Sequence, residues 1–340
     1  MKQVRVAING LGRIGRAFLK LAIKRPEIKI IAVNDLGDIN NLAYLLKYDS
    51  AYGRSGLAIE VKDGKLWVEN QPLIFLQEKE PAHLPWRDLQ IDVVVEATGR
   101  FENYEAAKTH LEAGARKVVV SAPVKGEPPP GIPGATVLMG INEDKLAICQ
   151  ITSNASCTTN SASPVIQILH DALGIDKAIL NTVHGYTATQ KLVDAPDARD
   201  FRRGRAAAVN IVPSTTGAAI SVTQAIPALK DKFDGIAIRV PVIAGSIADI
   251  TFIAKRPTSV EEVNRILKQA TALPRWKNIF SVTEEPLVSS DIIDSPYASL
   301  ADLALTKVVG GNLVKVMVWY DNEVGYTHTL VEHVIKTGQH

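Results

Sequence analysis

The chain has 340 residues, of which 46% are hydrophobic and 22% charged, with a formal net charge of only +2. That length exceeds one ordinary core and predicts two domains, and the near-neutral balance excludes a protein built mainly to bind nucleic acid. Two cysteines, Cys149 and Cys157, exclude a disulfide framework and fit a reducing compartment.

Met1, Lys2 and Gln3 lead straight into an apolar run at 4–9, which reads as a strand rather than a secretory leader. No apolar run reaches the roughly 18 residues that span a bilayer. The chain is therefore expected to be soluble and cytoplasmic, with no membrane partner. Residues 13–24 carry Ile14, Ala17, Phe18, Leu21 and Ala22 at helical spacing, and 28–34 is the next strand. Residues 61–75 alternate around Lys62-Asp63-Gly64-Lys65 and predict a small inserted antiparallel hairpin. Valine-rich runs at 93–95, 117–120 and 136–139, with a helical pattern at 102–113, continue the strand–helix alternation. Such runs, apolar throughout, suit strands buried on both faces of a parallel sheet. The proline-rich stretch 127–131 is a stiff surface connector.

Beyond Cys157 the strand-like runs lengthen, at 175–184, 236–241, 248–255 and 313–320, separated by helical patterns at 214–228 and 259–272. An amphipathic stretch at 322–336 closes the chain. The fold class expected is α/β: a doubly wound parallel-sheet (Rossmann) domain over 1–156, joined by a C-terminal helix at 320–340, and an α+β domain with a mixed sheet over 157–319. No His, Cys or carboxylate cluster has metal-ligand spacing, so no metal is expected.

Gly10-Leu11-Gly12-Arg13-Ile14-Gly15 matches the G-x-G-x-x-G fingerprint. The bare pattern is weak, but here it follows a strand, opens a helix and is followed 20 residues after Gly15 by Asp35. Gly10 permits the tight turn, Gly12 the approach of a pyrophosphate, and Gly15 close helix–strand packing. The pyrophosphate would sit at the helix N-terminus. Asp35 can bond the ribose hydroxyls and would repel a 2′-phosphate, which favours NAD over NADP. The alternative, a glycine turn without a ligand, is the weaker reading in this context.

Cys149 lies in an apolar run and reads as inert core. Cys157 lies among small polar residues at a strand-to-helix junction, where packing gives no reason for a thiol. A helix N-terminus there would favour thiolate. A reactive thiol needs a base or positive neighbour. Of seven histidines, His184 ends an apolar run before a polar loop and is best placed; His83 and His110 sit in surface-like segments. Spacing alone does not fix any one Cys–His pair.

Several segments together resemble one family, the phosphorylating glyceraldehyde-3-phosphate dehydrogenases of the bacterial and eukaryotic type. They include residues 9–16, Val119-Val120-Ser121-Ala122-Pro123, Ser156-Cys157-Thr158-Thr159-Asn160, the 184–190 run from His184 to Gln190, and Ser214-Thr215-Thr216-Gly217. Arg239-Val240-Pro241 and Trp319-Tyr320-Asp321-Asn322-Glu323 complete a set spread, in the family's order, over nearly the whole chain. The resemblance implies that Cys157 attacks the aldehyde of glyceraldehyde 3-phosphate with His184 as base, the two held as a thiolate–imidazolium pair. It implies hydride transfer to NAD, and attack of inorganic phosphate on a thioester to give 1,3-bisphosphoglycerate, in central carbon metabolism. Asn9, Gly10, Gly12, Arg13, Ile14, Asp35, Ser121, Asn322 and Tyr326 would hold the cofactor. Thr187 and Arg239 would hold the substrate phosphate; Ser156, Thr216 and Gly217 the inorganic phosphate; Thr158 and Arg205 would join the anion pocket. The basic cluster Arg199, Arg202, Arg203 and Arg205 falls in a loop that would line the cofactor site and a homotetramer interface, and is not read as a nucleic-acid patch.

The chain departs from the family pattern at Val324, where tryptophan is usual, at Thr327-His328-Thr329 in place of Ser-Asn-Arg, and at Ser161 in place of a second cysteine. Ala195 before Pro196 and residues 242–245 also depart. Three other readings exist: an erythrose-4-phosphate dehydrogenase on the same scaffold, a cofactor-free thiol hydrolase, and a binding protein on an inactive scaffold. The intact His184–Gln190 pattern and the fingerprint with Asp35 favour the triose phosphate dehydrogenase.

Overall fold

A computed structural model describes residues 3–198 and 200–340; Met1, Lys2 and Arg199, one member of the basic cluster, lie outside the described residues. The chain divides into two compact units, Met1–Ala155 with Thr327–His340, and Ser156–Tyr326.

The first unit runs β1 (Val4–Asn9), α1 (Arg13–Ala22), β2 (Ile28–Asn34), α2 (Ile39–Lys47), then a short pair, β3 (Tyr48–Asp49) and β4 (Gly53–Arg54). There follow β5 (Ile59–Lys62), β6 (Lys65–Val68), β7 (Gln71–Leu76), β8 (Val93–Glu96), α3 (Tyr104–Glu112), β9 (Lys117–Val120), β10 (Gly134–Thr136) and β11 (Ile151–Ser153). Nine strands form one sheet in the order β10-β11-β9-β8-β1-β2-β7-β6-β5, parallel from β10 to β7 and antiparallel through β6 and β5. The expected hairpin is thus three-stranded, and β7 extends the parallel sheet instead of standing apart as an insertion. The run expected at 136–139 forms its strand slightly earlier, at Gly134–Thr136.

Val93, Val94, Val95, Val118 and Val119 are wholly buried, as parallel strands covered on both faces require. Helix α1 sets Phe18, Leu19 and Ala22 inward and Lys20 outward, so its apolar stripe is spent on the sheet. Asn103 caps α3 by accepting the Ala106 N–H at 2.7 Å. The chain leaves β1 for β2 on one side, and β8 pairs on the other. This reversal leaves a crevice at the carboxyl ends of β1, β2 and β8, where a doubly wound sheet binds its ligand.

The second unit runs α4 (Cys157–Leu173), β12 (Ile175–Gly185), β13 (Val212–Thr215), α5 (Ala218–Ala225), β14 (Phe233–Val240), β15 (Ser246–Ala254), α6 (Val260–Ala270), β16 (Phe280–Thr283), β17 (Ser299–Val309) and β18 (Leu313–Tyr320). Helix α7 (Val324–Gln339) begins here and belongs to the first unit from Thr327 onward. Seven strands form a mixed sheet, β13-β14-β12-β15-β18-β17-β16, antiparallel except for the β12–β14 and β16–β17 pairs. Alternation is clean in β15, where Ala248, Ile250, Phe252 and Ala254 are buried between more exposed neighbours. The helical pattern at 214–228 resolves into β13 followed by α5, and β16 and β17 join the sheet without an expectation from the sequence.

Within the first unit, His333 on α7 is fully buried between Asn154 and Thr152. Its Nδ1–H donates to Asn154 Oδ1 at 3.0 Å and its Nε2 accepts from Thr152 Oγ1 at 2.8 Å. Burial lowers its pKa to about 3. An unfolded histidine titrates near 6.5, so between roughly pH 6.5 and 3 the unfolded chain binds a proton that the folded one refuses. Stability is therefore expected to fall as pH drops through that window. His333→Gln, which keeps polar atoms without titrating there, should flatten the acid limb of melting temperature against pH; identical slopes for both proteins would refute the assignment.

Candidate active site

In the first unit, Gly10 turns at φ +98°, and a Cβ there would lie 2.8 Å from the backbone of Ala97 and Thr98. A Cβ on Gly15 would strike the Gly10 carbonyl oxygen at 1.9 Å. A Cβ on Gly12, by contrast, would meet nothing within 4 Å. The first two glycines serve close packing; the third faces open space at the start of α1, whose first turn carries no acid and no side-chain cap. The N–H groups at a helix start and the helix dipole suit a pyrophosphate. Asp35 is held there by the Leu11 N–H at 2.7 Å and the Gly37 N–H at 2.8 Å, one on each carboxylate oxygen. It lines a cleft with Asn9, Gly10, Asn34, Thr98 and Phe101. Each oxygen keeps a lone pair for a ribose hydroxyl, so the residues present fit a dinucleotide. Arg13 pairs with Asp49 at 2.8 Å, Ile14 is half-buried on α1, and Ser121 donates through Oγ to the Glu96 carbonyl at 3.0 Å.

In the second unit, Cys157 is the first residue of α4 and Ser156 its cap, accepting the Thr159 N–H at 3.1 Å. His184 reaches the thiol from the end of β12, with Nε2 3.3 Å from Cys157 Sγ. The parallel register sets His184 beside Arg239 on β14. The Arg239 guanidinium presses on His184 Nδ1 and also donates to the Gly185 carbonyl at 3.2 Å. Nδ1 lies 2.7 Å from that same carbonyl. It cannot accept from Arg239 and donate to Gly185 at once, so Arg239 and the carbonyl compete for the ring's tautomer. Tyr320 meets the ring edge-on with centroids 5.9 Å apart, and its hydroxyl bonds Thr158 at 2.8 Å and Thr182 at 2.7 Å.

Burial dominates the electrostatics. It lowers His184 to about 3, with the Arg239 charge acting in the same direction. It raises the Cys157 thiol although the residue as a whole is only half-buried, while Arg239 and the Thr158 N–H pull the thiol back down. It also raises Tyr320. Burial thus favours the neutral form of each partner, while Arg239 and the Thr158 N–H act on the thiol in the opposite direction.

Direct contacts unite Cys157, His184, Arg239, Thr158 and Tyr320. Thr158 is buried with its hydroxyl 2.8 Å from the Tyr320 hydroxyl. Arg205 pairs with the exposed Asp194 at 2.9 Å, while Arg202 pairs with Asp200 and Arg203 donates to Ser214. Thr187 lies in a turn anchored by the Tyr186 N–H to the Val242 carbonyl at 3.1 Å, next to the segment that follows Arg239. Thr216 and Gly217 open α5, which has no side-chain cap, and a Cβ on Gly217 would meet nothing within 4 Å. Asn322 accepts from Ser246 Oγ at 3.0 Å; Tyr326 and Cys149 are buried. His110, expected at the surface, is fully buried, whereas His83 is exposed. Tyr320 and Ser246 escaped the sequence reading. The alternation of β18 carried the signal for Tyr320, since it shares the inward parity of Val314, Val316 and Val318. Among the described residues no group of His, Cys and carboxylates could hold a metal, and no helix is long and apolar enough to cross a membrane.

Comparison with known proteins gives a single family. Its NAD binding domain model matches residues 4–104 and its C-terminal domain model residues 156–322, both of glyceraldehyde 3-phosphate dehydrogenase. The chain is 46% identical over 331 residues to the Geobacillus stearothermophilus glyceraldehyde-3-phosphate dehydrogenase, covering 97% of this chain and 96% of that one. It is 47% identical to the Thermotoga maritima enzyme of that name, covering 96% and 97%. With the Mycobacterium avium enzyme it shares 46% over 344 residues and 99% of each chain.

His184 as the base for Cys157 has a direct readout in alkylation by iodoacetamide, which consumes thiolate. His184→Asn should slow alkylation of Cys157 at pH 7 by roughly tenfold, as a one-unit upward shift of the thiol would. The rate–pH midpoint should move up with it. An unchanged midpoint would remove His184 from that role.

Proposed function

The chain belongs to the glyceraldehyde-3-phosphate dehydrogenase family, and we propose from this that it oxidises glyceraldehyde 3-phosphate with NAD and traps the acyl group with inorganic phosphate, giving 1,3-bisphosphoglycerate. The observation that carries this reading is the 3.3 Å Cys157–His184 contact at the start of α4, beside Arg239.

NAD is the cofactor, and when bound it supplies the hydride acceptor. Asn9, Gly10, Gly12, Arg13, Ile14, Asp35 and Ser121 would hold it through the first unit. Asn322 would orient the carboxamide, since its Oδ1 is committed to Ser246 and leaves the amide nitrogen as donor. Tyr326 would pack near the same end.

Catalysis starts with proton transfer from Cys157 Sγ to His184 Nε2 as sulfur attacks the aldehyde carbon. A C–S bond forms, the C=O π bond opens, and the oxygen takes up the proton from Nε2. The Cys157 N–H at the helix start and His184 would stabilise charge on that oxygen. As the carbon is oxidised, His184 receives the hydroxyl proton and leaves a thioester on Sγ. Attack by a phosphate oxygen then breaks the C–S bond and returns thiolate. Thr187 and Arg239 would hold the substrate phosphate; Ser156, Thr216 and Gly217 would hold the attacking phosphate. A dianion that draws Arg239 away from Nδ1 frees that nitrogen to donate to Gly185, which leaves Nε2 as the base. Substrate binding would thus arm the site.

We read the assembly as a homotetramer and the compartment as cytoplasm. The second unit exposes an unusual set of apolar side chains, Leu192, Phe201, Val209 and Ile211, with Phe201 89% exposed. An apolar surface of that kind marks a protein interface. Light scattering in solution should give four times the chain mass; a monomer would sink the oligomer reading.

NADH formation from glyceraldehyde 3-phosphate should depend on inorganic phosphate and fall by about a thousandfold in Cys157→Ser, in line with loss of a covalent nucleophile. Arg239→Leu should raise KM for the aldehyde roughly ten- to hundredfold, the worth of a charged hydrogen bond. Faster turnover with erythrose 4-phosphate would identify the sister activity instead.

A further inference from the structure

The first unit buries a carboxylate that the chemistry above does not use. Glu96, at the end of β8, is 2% exposed and His110 on α3 is fully buried. Four donors converge on Glu96. The Asn9 Nδ2 lies 2.6 Å and the His110 Nε2 3.1 Å from Oε2. The Thr98 N–H lies 2.8 Å and the Thr98 hydroxyl 2.5 Å from Oε1. An acceptor-only group meeting four donors is a carboxylate in its ionised form.

The direction of every bond in this cluster follows from one residue. Trp86 Nε1–H can only donate, and it lies 3.0 Å from His110 Nδ1. Nδ1 is therefore an acceptor, and Nε2 carries the hydrogen that points at Glu96. The 3.5 Å approach of Asn9 Nδ2 to His110 Nε2 is then donor against donor and not a bond. Asn9 spends its amide on Glu96, so its Oδ1 accepts from Asn34 Nδ2 at 2.7 Å. Asn34 Oδ1 in turn accepts the Glu78 N–H at 2.8 Å.

Asn9, Asn34, Glu78 and Thr98 all line the cleft that holds Asp35. Glu96 reaches both of its walls. Through Asn9 it holds the strand end that becomes the Gly10 turn, and through Thr98 it holds the loop against which that turn packs so closely that a Cβ on Gly10 would lie 2.8 Å from its backbone. We infer that Glu96, fixed from behind by His110 and Trp86, is a positioning residue for the dinucleotide: one buried charge clamps the two cleft walls at the spacing NAD requires. This rests on NAD as the cofactor and not on the identity of the aldehyde. Cofactor affinity should depend on the clamp, and turnover at saturating NAD should not.

The test is NAD binding to the apo protein by quenching of tryptophan fluorescence, with melting temperature and amide exchange alongside. Glu96→Gln keeps the volume but turns a donor against either Asn9 and His110 or Thr98. Losing one charged hydrogen bond predicts about tenfold weaker NAD binding. The Thr98 amide should exchange at least as much faster, while kcat at saturating NAD stays within about twofold. Thr98→Val, which removes only the hydroxyl, should weaken NAD by roughly threefold. Leu66→Ala, in a buried position of the β5–β7 ribbon, should lower the melting temperature without changing NAD affinity. Glu96→Gln binding NAD within twofold of wild type would overturn the inference, whatever its melting temperature. If Glu96→Gln does not fold, Thr98→Val decides: an NAD dissociation constant equal to that of wild type overturns the inference.

Discussion

The approach of Cys157 Sγ to His184 Nε2 joins two groups that both resist charge where they sit. Burial raises the thiol and lowers the imidazole. Three features of the second unit act on that balance. The start of α4 offers backbone N–H groups and the positive end of the helix dipole, which favour thiolate. Tyr320 braces the ring at its edge and ties β12 to α4 through Thr182 and Thr158. Arg239 is the one adjustable charge among them. Its contact with Nδ1 opposes an imidazolium, and its withdrawal to an anion would replace a positive neighbour with a negative one.

Both units solve the same problem, that of holding polar groups in a dry interior, by directed chains of hydrogen bonds. In the second unit the Gly185 N–H reaches Ser246 Oγ at 3.2 Å, and Ser246 donates on to Asn322. In the first unit, Trp86, His110, Glu96 and Asn9 form a chain with one permitted direction. His333, Asn154 and Thr152 form another. Such chains are costly when one member is lost, because the remainder is left buried and unsatisfied. That cost is also their use. A chain with one allowed direction holds each of its side chains in a single orientation.

Much of this was legible in the sequence. The fingerprint, Asp35, the valine runs and the cysteine segment are local signals, and their meaning survives folding. Cys157 and His184 are separated by 27 positions, yet both sit at element ends, which is a local property too. What the sequence hid is long-range. His110 lies in a charged helical stretch and looks solvated, but its side chain faces Glu96 and Trp86, residues 14 and 24 positions away. Thr158 neighbours the nucleophile and looks like an anion ligand; its hydroxyl points to a tyrosine 162 positions further on. Strands β16 and β17 lacked an obvious pattern because polar residues interrupt them, with a register shift between Asp302 and Lys307. Side-chain direction is set by tertiary neighbours, and a residue-by-residue reading cannot see it.

The departures from the family's pattern bear on the same point. Thr327 and Thr329 are buried on α7, and Thr329 Oγ1 accepts the Asn154 amide at 3.3 Å. Asn154 is the residue that His333 also holds. The unusual Thr-His-Thr segment therefore supplies a member of a satisfied internal network. Threonine suits that place: it is compact enough for a fully buried position and brings a hydroxyl that accepts from a buried amide. Val324 is likewise buried at the start of the helix, where a smaller apolar side chain than tryptophan fills its own share of core. These departures fall on α7, whereas Cys157, His184 and Arg239 lie on α4, β12 and β14. The variation falls on a helix whose demands are volume and hydrogen-bond satisfaction, which several residue types can meet. The nucleophile and its base must meet those demands and a proton-transfer distance as well.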